Sequence, residues 1–296
     1  MIANFYIVPE SLCSENMSQE DFISSLMGFI SEYHLLSKYK SDNNIFIQKD
    51  VYDIILPNGE SLADFAFSQK HTCGQERSLK TFLSSILTKL PSQDISLDQL
   101  KEGIKNNSLE SCIGIISFVE IDDLANENQI IYDVNSWLDF RRHHLGLYHG
   151  DNNYFITECV KYYPELLFHE NNSVSVNQIL VDFSQKIVFH LNALHDVLPK
   201  LLVNQNLNHT DLLKEFSLKA GLDEIATLEG SNKTRLKFSF KNDKGENEDV
   251  ICEPHIKLST NNTNDGTYYY HRIYFSFGRP NIQNSKILIA HIGKHL

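Results

Sequence analysis

The spacing of apolar positions changes twice along the chain. Through residues 1–132, short apolar runs alternate with helix-spaced stretches. Asn4–Val8 is a brief apolar run. Ser18–Tyr39 has helical spacing, with Ser18 placed as N-cap and Asp21 at the capping-box position. Asn44–Phe67 alternates in places and holds the turn Pro57-Asn58-Gly59, which predicts strands joined as a hairpin. Ser78–Leu90 reads as a helix stopped by Pro91, Leu97–Asn106 as a shorter one, and Cys112–Glu120 as a buried strand. From 133 to 232 the period is helical, in Asn135–Leu147, Asn153–Leu167, Val174–Leu202 and His209–Ala220. Ile179, Phe183, Ile187, Leu191, Leu194 and Leu198 form one stripe, and Gly221 is set to end the last helix.

From 233 onward the period falls to two. In Thr234–Lys241, Leu236, Phe238 and Phe240 alternate with Arg235, Lys237, Ser239 and Lys241. Val250–Leu258 continues the alternation, Thr267–Phe277 is a long strand, and Lys286–Ile292 a last one. Four strands with short turns predict an antiparallel meander, although Pro254 suits an edge or a bulge better than a central strand. The whole pattern predicts an α+β protein in three parts. These are a mixed α/β body over 1–132, a helical region over 133–232, and a four-stranded antiparallel sheet over 233–296 packed on the helices of 174–221.

Composition narrows the function. The chain is 42% hydrophobic and 22% charged, which is globular rather than disordered or fibrous. No run approaches the ~18 apolar residues of a membrane span, so no membrane partner is expected. The opening MIANFYIVPE lacks the basic and apolar regions of a secretion signal. Cys13, Cys73, Cys112, Cys159 and Cys252 are scattered and never in C-x-x-C spacing, which argues for a reducing compartment and hence a cytoplasmic protein. Walker A, G-x-G-x-x-G, H-E-x-x-H and G-x-S-x-G motifs are absent, which excludes the commonest nucleotide-binding and hydrolase signatures.

Charge is uneven. Residues 233–296 hold ten Lys and Arg against six Asp and Glu, while the rest of the chain holds 16 against 32. A basic segment on an acidic chain points to an anionic partner for that segment. In the long strand, Ile273 and Phe275 share one face with Tyr269 and His271, leaving Tyr268, Tyr270, Arg272 and Tyr274 on the other. With Arg235, Lys237 and Lys241 from the first strand and His255 and Lys257 from the second, this face interleaves cations with aromatic rings. RNA sites use both, cations for phosphate and rings for unpaired bases. His291, Lys294 and His295 close the sequence, and imidazole is suited to moving protons near neutral pH.

The stretch EPHIKLS…DGTYYYHRIYF…KILIAHIGKHL, over residues 253–296, resembles the C-terminal half of RelE/YoeB-type mRNA interferases. The matching positions are Glu253-Pro254-His255-Ile256-Lys257, Gly266, Arg272-Ile273-Tyr274-Phe275 and Lys294-His295-Leu296, with Leu296 where that family has an aromatic residue. The resemblance implies a compact helix–sheet module that cleaves RNA without a metal, often on the ribosome. It places the strand arginine at Arg272, the catalytic histidine at His295 and the phosphate-contacting lysine at Lys257. Chemically, Glu253, His255 or a tyrosine would take the 2′-OH proton, Arg272, Lys257 and Lys294 would stabilise the phosphorane, and His295 or His291 would protonate the leaving oxygen.

A second constellation lies at Arg141–His149. Arg142 and His149 are similar to the Arg-x4–6-His motif of HEPN-type ribonucleases, and His143, His144 and His149 have metal-binding side chains but no carboxylate at a familiar spacing. Asp249, Glu253 and Lys257 have the residue types of a metal-dependent PD-(D/E)xK nuclease without its spacing. The sequence therefore favours a metal-independent ribonuclease acting as a toxin or phage-defence effector, with no cofactor. Its expected partners are RNA, including ribosome-bound mRNA, and an inhibitor or partner protein. The competing reading is a non-catalytic module that binds protein or nucleic acid through the same face.

Overall fold

The computed structural model describes residues 2–14, 17–36, 39, 42–68, 74–106, 112–122, 127–203, 207–230, 233–258 and 271–296. The chain is α+β and divides into two compact units, Met1–Arg141 and Arg142–Leu296.

The first unit carries β1 (Ala3–Ile7), α1 (Pro9–Leu12), α2 (Gln19–Leu36), β2 (Asn43–Gln48), α3 (Leu62–Phe67), α4 (Gly74–Lys89), β3 (Ser92–Gln93), α5 (Leu97–Asn106), β4 (Ile113–Ile116) and β5 (Ile130–Ile131). It ends inside α6 (Val134–Leu147), which crosses the boundary. The strands form one sheet in the order β3-β2-β1-β4-β5, and every pairing is parallel. Parallel neighbours need long crossovers, and helices supply those from β1 to β2, from β2 to β3 and from β3 to β4. Both faces of the sheet are consequently covered. Tyr6 and Ile115 pack with Leu100 and Ile104 of α5, and Phe5 meets Phe140 of α6 at 4.9 Å between ring centroids. Gly114 allows that second contact, since a Cβ there would lie 2.7 Å from the Phe5 ring. Ser18 caps α2 as its sequence predicts: its Oγ accepts from the Asp21 N–H at 3.1 Å and donates to the Asp21 carboxylate at 2.6 Å.

The hairpin expected within Asn44–Phe67 is not formed. β2 joins the parallel sheet, and the turn at Pro57-Asn58-Gly59 closes only a single bridge between Ile55 and Ser61. Val51 and Leu56 are buried from this path and Leu62 from the start of α3, so the alternation reflects core plugging rather than a ladder.

The second unit continues with α7 (Asn152–Tyr162), β6 (Leu166–Phe168), α8 (Asn172–Ser175), α9 (Leu180–Asp196), α10 (Leu198–Leu202), α11 (His209–Lys219), β7 (Lys237–Lys241), β8 (Asn247–Ile251), β9 (His255–Lys257), β10 (His271–Ser276) and β11 (Ile287–Lys294). Its main sheet has the order β6-β11-β10-β9. β9, β10 and β11 are antiparallel, and β6 lies parallel to β11. β7 and β8 form a separate hairpin.

Strand membership thus differs from the expected meander. Pro254, which has no N–H to donate, sits at the corner where the chain leaves the hairpin for the sheet, and its carbonyl accepts from the Phe275 N–H. The fourth place in the sheet goes to β6, from a stretch whose spacing reads as the end of helix 153–167. Pro164 explains this: α7 stops at Tyr162, ahead of the residue preceding the proline. The predicted helix 174–202 is likewise divided, into α8, a 3-10 turn, α9 and α10, with Pro199 in the first turn of α10.

One face of the sheet packs on the helices. Ile256, Ile273, Phe275, Ile289 and Ile292 share a core with Ile187, Leu191 and Leu194 of α9. The β7–β8 hairpin covers part of the other face through Leu236, Phe240, Val250, Tyr274, Leu288 and Ala290.

Candidate functional site

The site forms on the uncovered part of that outer face. Arg272 lies between Lys257 of β9 and Gly293 of β11, and Tyr274 lies between His255 and His291. A bulge makes the second row possible. Tyr274 pairs with His291 while Phe275 pairs with Ile289, leaving Ala290 unopposed, so Ala290 and His291 both turn outward. A β11 in strict alternation from Ile289 would carry His291 into the core face.

One carboxylate sits at the centre, and the strand pattern of 233–296 does not reveal it. Glu229 belongs to the segment between α11 and β7. That segment is tied to the edge of β9 by paired hydrogen bonds between Thr227 and His255 (3.1 and 2.9 Å) and by the Glu229 N–H donating to the Glu253 carbonyl at 3.2 Å. Glu229 Oε2 accepts from Arg272 Nη1 at 2.5 Å and from the Tyr274 hydroxyl at 3.4 Å. It lies 3.4 Å from His295 Nε2 and 4.0 Å from His255 Nδ1. The same Arg272 Nη1 donates to the Tyr274 hydroxyl at 3.2 Å. Arg272 Nε is buried without a hydrogen-bond partner among the described residues.

The electrostatics follow from this packing. Burial raises the Glu229 pKa, but Arg272, with His255 and His295, outweighs it and holds the carboxyl below its ordinary value. Burial, reinforced by Arg272, pushes His255 down to about 4, so this imidazole is neutral at pH 7. Its Nε2 is 3.1 Å from Thr227 Oγ1 and its Nδ1 is 3.2 Å from the Glu253 carbonyl oxygen. Burial also lowers His291, against the opposing Lys294 carbonyl, which lies 2.8 Å from its Nε2. Burial raises the Tyr274 hydroxyl, with Arg272 opposing. His295 remains 42% exposed on its side chain, at the mouth of the cluster.

Of the residues singled out from sequence, Arg272, His255, His291, His295, Lys257 and Tyr274 come together here. Lys257 also approaches Glu224, at 3.8 Å. Glu253 takes part through its backbone carbonyl. Lys294 is exposed, opposite His271. Tyr274 is fully buried, so it offers its hydroxyl and no ring face for stacking. Tyr268 and Tyr270 lie outside the described residues. Arg235, Lys237 and Lys241 are not on this sheet: Arg235 is exposed in a 3-10 turn, and Lys237 pairs with Asp249 at 2.7 Å across the hairpin. Lys241 borders a separate cleft with His169 and Gln283.

Much of the positive charge of 233–296 is thus matched locally, by Glu224, Glu229, Glu248 and Asp249. Glu229 had a trace in the sequence. Ala226 and Leu228 turn to the core while Thr227 and Glu229 do not, the same period of two that marks the later strands.

The second constellation is organised differently. Arg142 is 2% exposed. Its Nε donates to the Tyr162 carbonyl at 2.8 Å, its Nη1 pairs with Asp196 at 3.1 Å, and the guanidinium lies over the Tyr163 ring at 4.6 Å. That cation is committed to the interior of its unit. Among the described residues, no three His, Cys, Asp or Glu side chains are grouped to hold a metal ion, and no helix is long and apolar enough to cross a membrane. No protein-family model, curated protein or solved structure matches the chain.

Proposed function

We propose that the unit Arg142–Leu296 is a metal-independent endoribonuclease, acting as a toxin or defence effector. The observation that carries this reading is the Glu229 carboxylate held among Arg272, His295, His255 and the Tyr274 hydroxyl on an accessible sheet face. Cleavage at a 2′-hydroxyl needs a base, a cation and an acid within reach of one phosphate. In this reading, ionised Glu229 takes the 2′-OH proton as the 2′ oxygen attacks phosphorus. Arg272 and Lys257 neutralise the phosphorane. Protonated His295 gives its proton to the departing 5′ oxygen, leaving a 2′,3′-cyclic phosphate. Neutral His255, fixed by Thr227 and the Glu253 carbonyl, positions Glu229. The resemblance of 253–296 to mRNA interferases supports the same roles for Arg272, His295 and Lys257.

The test is cleavage of a mixed RNA pool in chelator, with and without translating ribosomes. Cuts with cyclic-phosphate ends are expected, falling about 10²–10⁴-fold in Glu229→Gln, His295→Ala and Arg272→Ala. Circular dichroism of each variant reports whether the fold survives. Absence of cuts in both tubes would overturn the enzyme reading and leave the face as a docking surface for RNA or protein.

A further inference from the structure

The first unit has an opening of its own. Its sheet order β3-β2-β1-β4-β5 reverses direction at β1, since β2 and β3 are added on one side and β4 and β5 on the other. In open parallel sheets, the loops at the carboxyl ends diverge around such a reversal and leave a crevice there. Here the gap between β1 and β4 is tied shut by the Phe118 N–H donating to the Ser11 carbonyl at 2.8 Å. The opening is displaced one strand outward. A cavity of about 730 Å³ lies at the carboxyl ends of β4 and β5, walled by 117–122, by Ile130 and Tyr132, and by Ser136 and Asp139 of α6. That volume is in the range of small-molecule sites.

The wall chemistry restricts what fits. No Lys, Arg or His is among the described residues lining the cavity. The amino end of α6 is already capped: Asp133 Oδ1 accepts from the Ser136 N–H at 2.7 Å, and Ser136 Oγ accepts from the N–H groups of Tyr132 and Asp133. Among the described lining residues a phosphate would find no cation, and the Ser136 N–H at the amino end of α6 is already taken. The Ser117 hydroxyl donates to the Val119 carbonyl at 2.6 Å, so it too is engaged. Besides the Asn128 carboxamide, what the described walls offer is mainly acceptors and rings. Glu120 and Asp122 have no ion-pair or hydrogen-bond partner among the described residues, and the Tyr132 ring is 61% exposed. Phe118 is anchored edge-on to Phe29 at 4.6 Å.

We infer that this cavity binds a molecule of the nucleoside class: a flat ring to lie against Tyr132 and Phe118, with hydroxyl or amino donors for Glu120 and Asp122, and no phosphate. The inference does not depend on the ribonuclease reading of the other unit.

Calorimetric titration of the full chain with adenosine, guanosine, cytidine and uridine, and with their 5′-monophosphates, tests it. At least one nucleoside is expected to bind at about 1 mM or below, its monophosphate about tenfold more weakly. Glu120→Gln with Asp122→Asn, and separately Tyr132→Ala, should each weaken the nucleoside about tenfold or more, while His295→Ala leaves it unchanged. The three substituted side chains are exposed, so the fold is expected to persist, and circular dichroism checks this. Failure of all four nucleosides to bind, equal binding of a monophosphate, or binding that survives the carboxamide pair would each overturn the inference.

Discussion

The two units solve the same problem in opposite ways. In the first, five parallel strands are joined by crossovers that cover both faces, so the sheet meets solvent chemistry only at its strand ends. In the second, β9, β10 and β11 are antiparallel and one face rests on the helices. Part of the other face stays open, and polar rows stand on it. Strand direction therefore decides where each sheet can hold a ligand, at an edge of loops in one unit and on a face in the other. Charge separates them as well: residues 1–141 hold ten Lys and Arg against 21 Asp and Glu, whereas residues 142–296 hold 16 against 17. A polyanion would meet far less repulsion at the second.

The contrast can be tested through stability. Ile273→Ala removes a fully buried side chain from the sheet–helix core of the second unit and is expected to cost about 2–5 kcal/mol. Trp137 is the chain's one tryptophan and is buried in the first unit, so its fluorescence reports there. In urea the far-ultraviolet dichroism midpoint should fall more than the Trp137 midpoint. Equal shifts would show that the units unfold as one through α6.

Acid should also separate them. Burial holds His190 and His255 at about 4, both in the second unit, and neither ring nitrogen of His190 has a hydrogen-bond partner among the described residues. The folded state favours their neutral forms, while the unfolded chain titrates near 6.5. Their contribution is thus complete above about pH 6.5 and is lost as pH falls toward 4, by up to about 3 kcal/mol for each. Between pH 7 and 5 the second unit should weaken first, and His190→Leu should flatten the slope. A slope unchanged in that variant would remove His190 from the account.

The smallest effect should be the same in both units. Ser61 Oγ accepts from the Asp64 N–H at 3.0 Å at the start of α3, and Asn208 Oδ1 accepts from the Asp211 N–H at 3.0 Å at the start of α11. Ser61→Ala and Asn208→Ala should each cost about 1 kcal/mol in urea titrations, because a cap is local and indifferent to sheet type. Values differing severalfold would mean that tertiary contacts dominate one of them.

What the sequence discloses follows the range of each interaction. Ser18 as a cap and the inward turn of Ile273 and Phe275 are legible because both depend on neighbours a few positions away. The partnership of β6 with β11 is not, because periodicity reports a buried face and carries no address for the strand alongside. The bulge at Ala290 is hidden for the same reason, and with it the outward aim of His291. Arg272, His255 and His295 are visible as a group through strand arithmetic and a family likeness. Glu229 lies outside the likeness, and only the chain's path along β9 brings it in.

The pairing of β6 with β11 also sets a schedule. As residues emerge in order, the first unit has its last strand by Ile131, whereas β6, ending at Phe168, waits for a neighbour that begins at Ile287. Non-local pairing of this kind makes folding slow and leaves apolar helix faces uncovered meanwhile. The second unit is therefore the one that would occupy chaperones during synthesis. It also means that the cluster of Glu229, Arg272 and His295 cannot assemble until β11 has been made, after most of the chain.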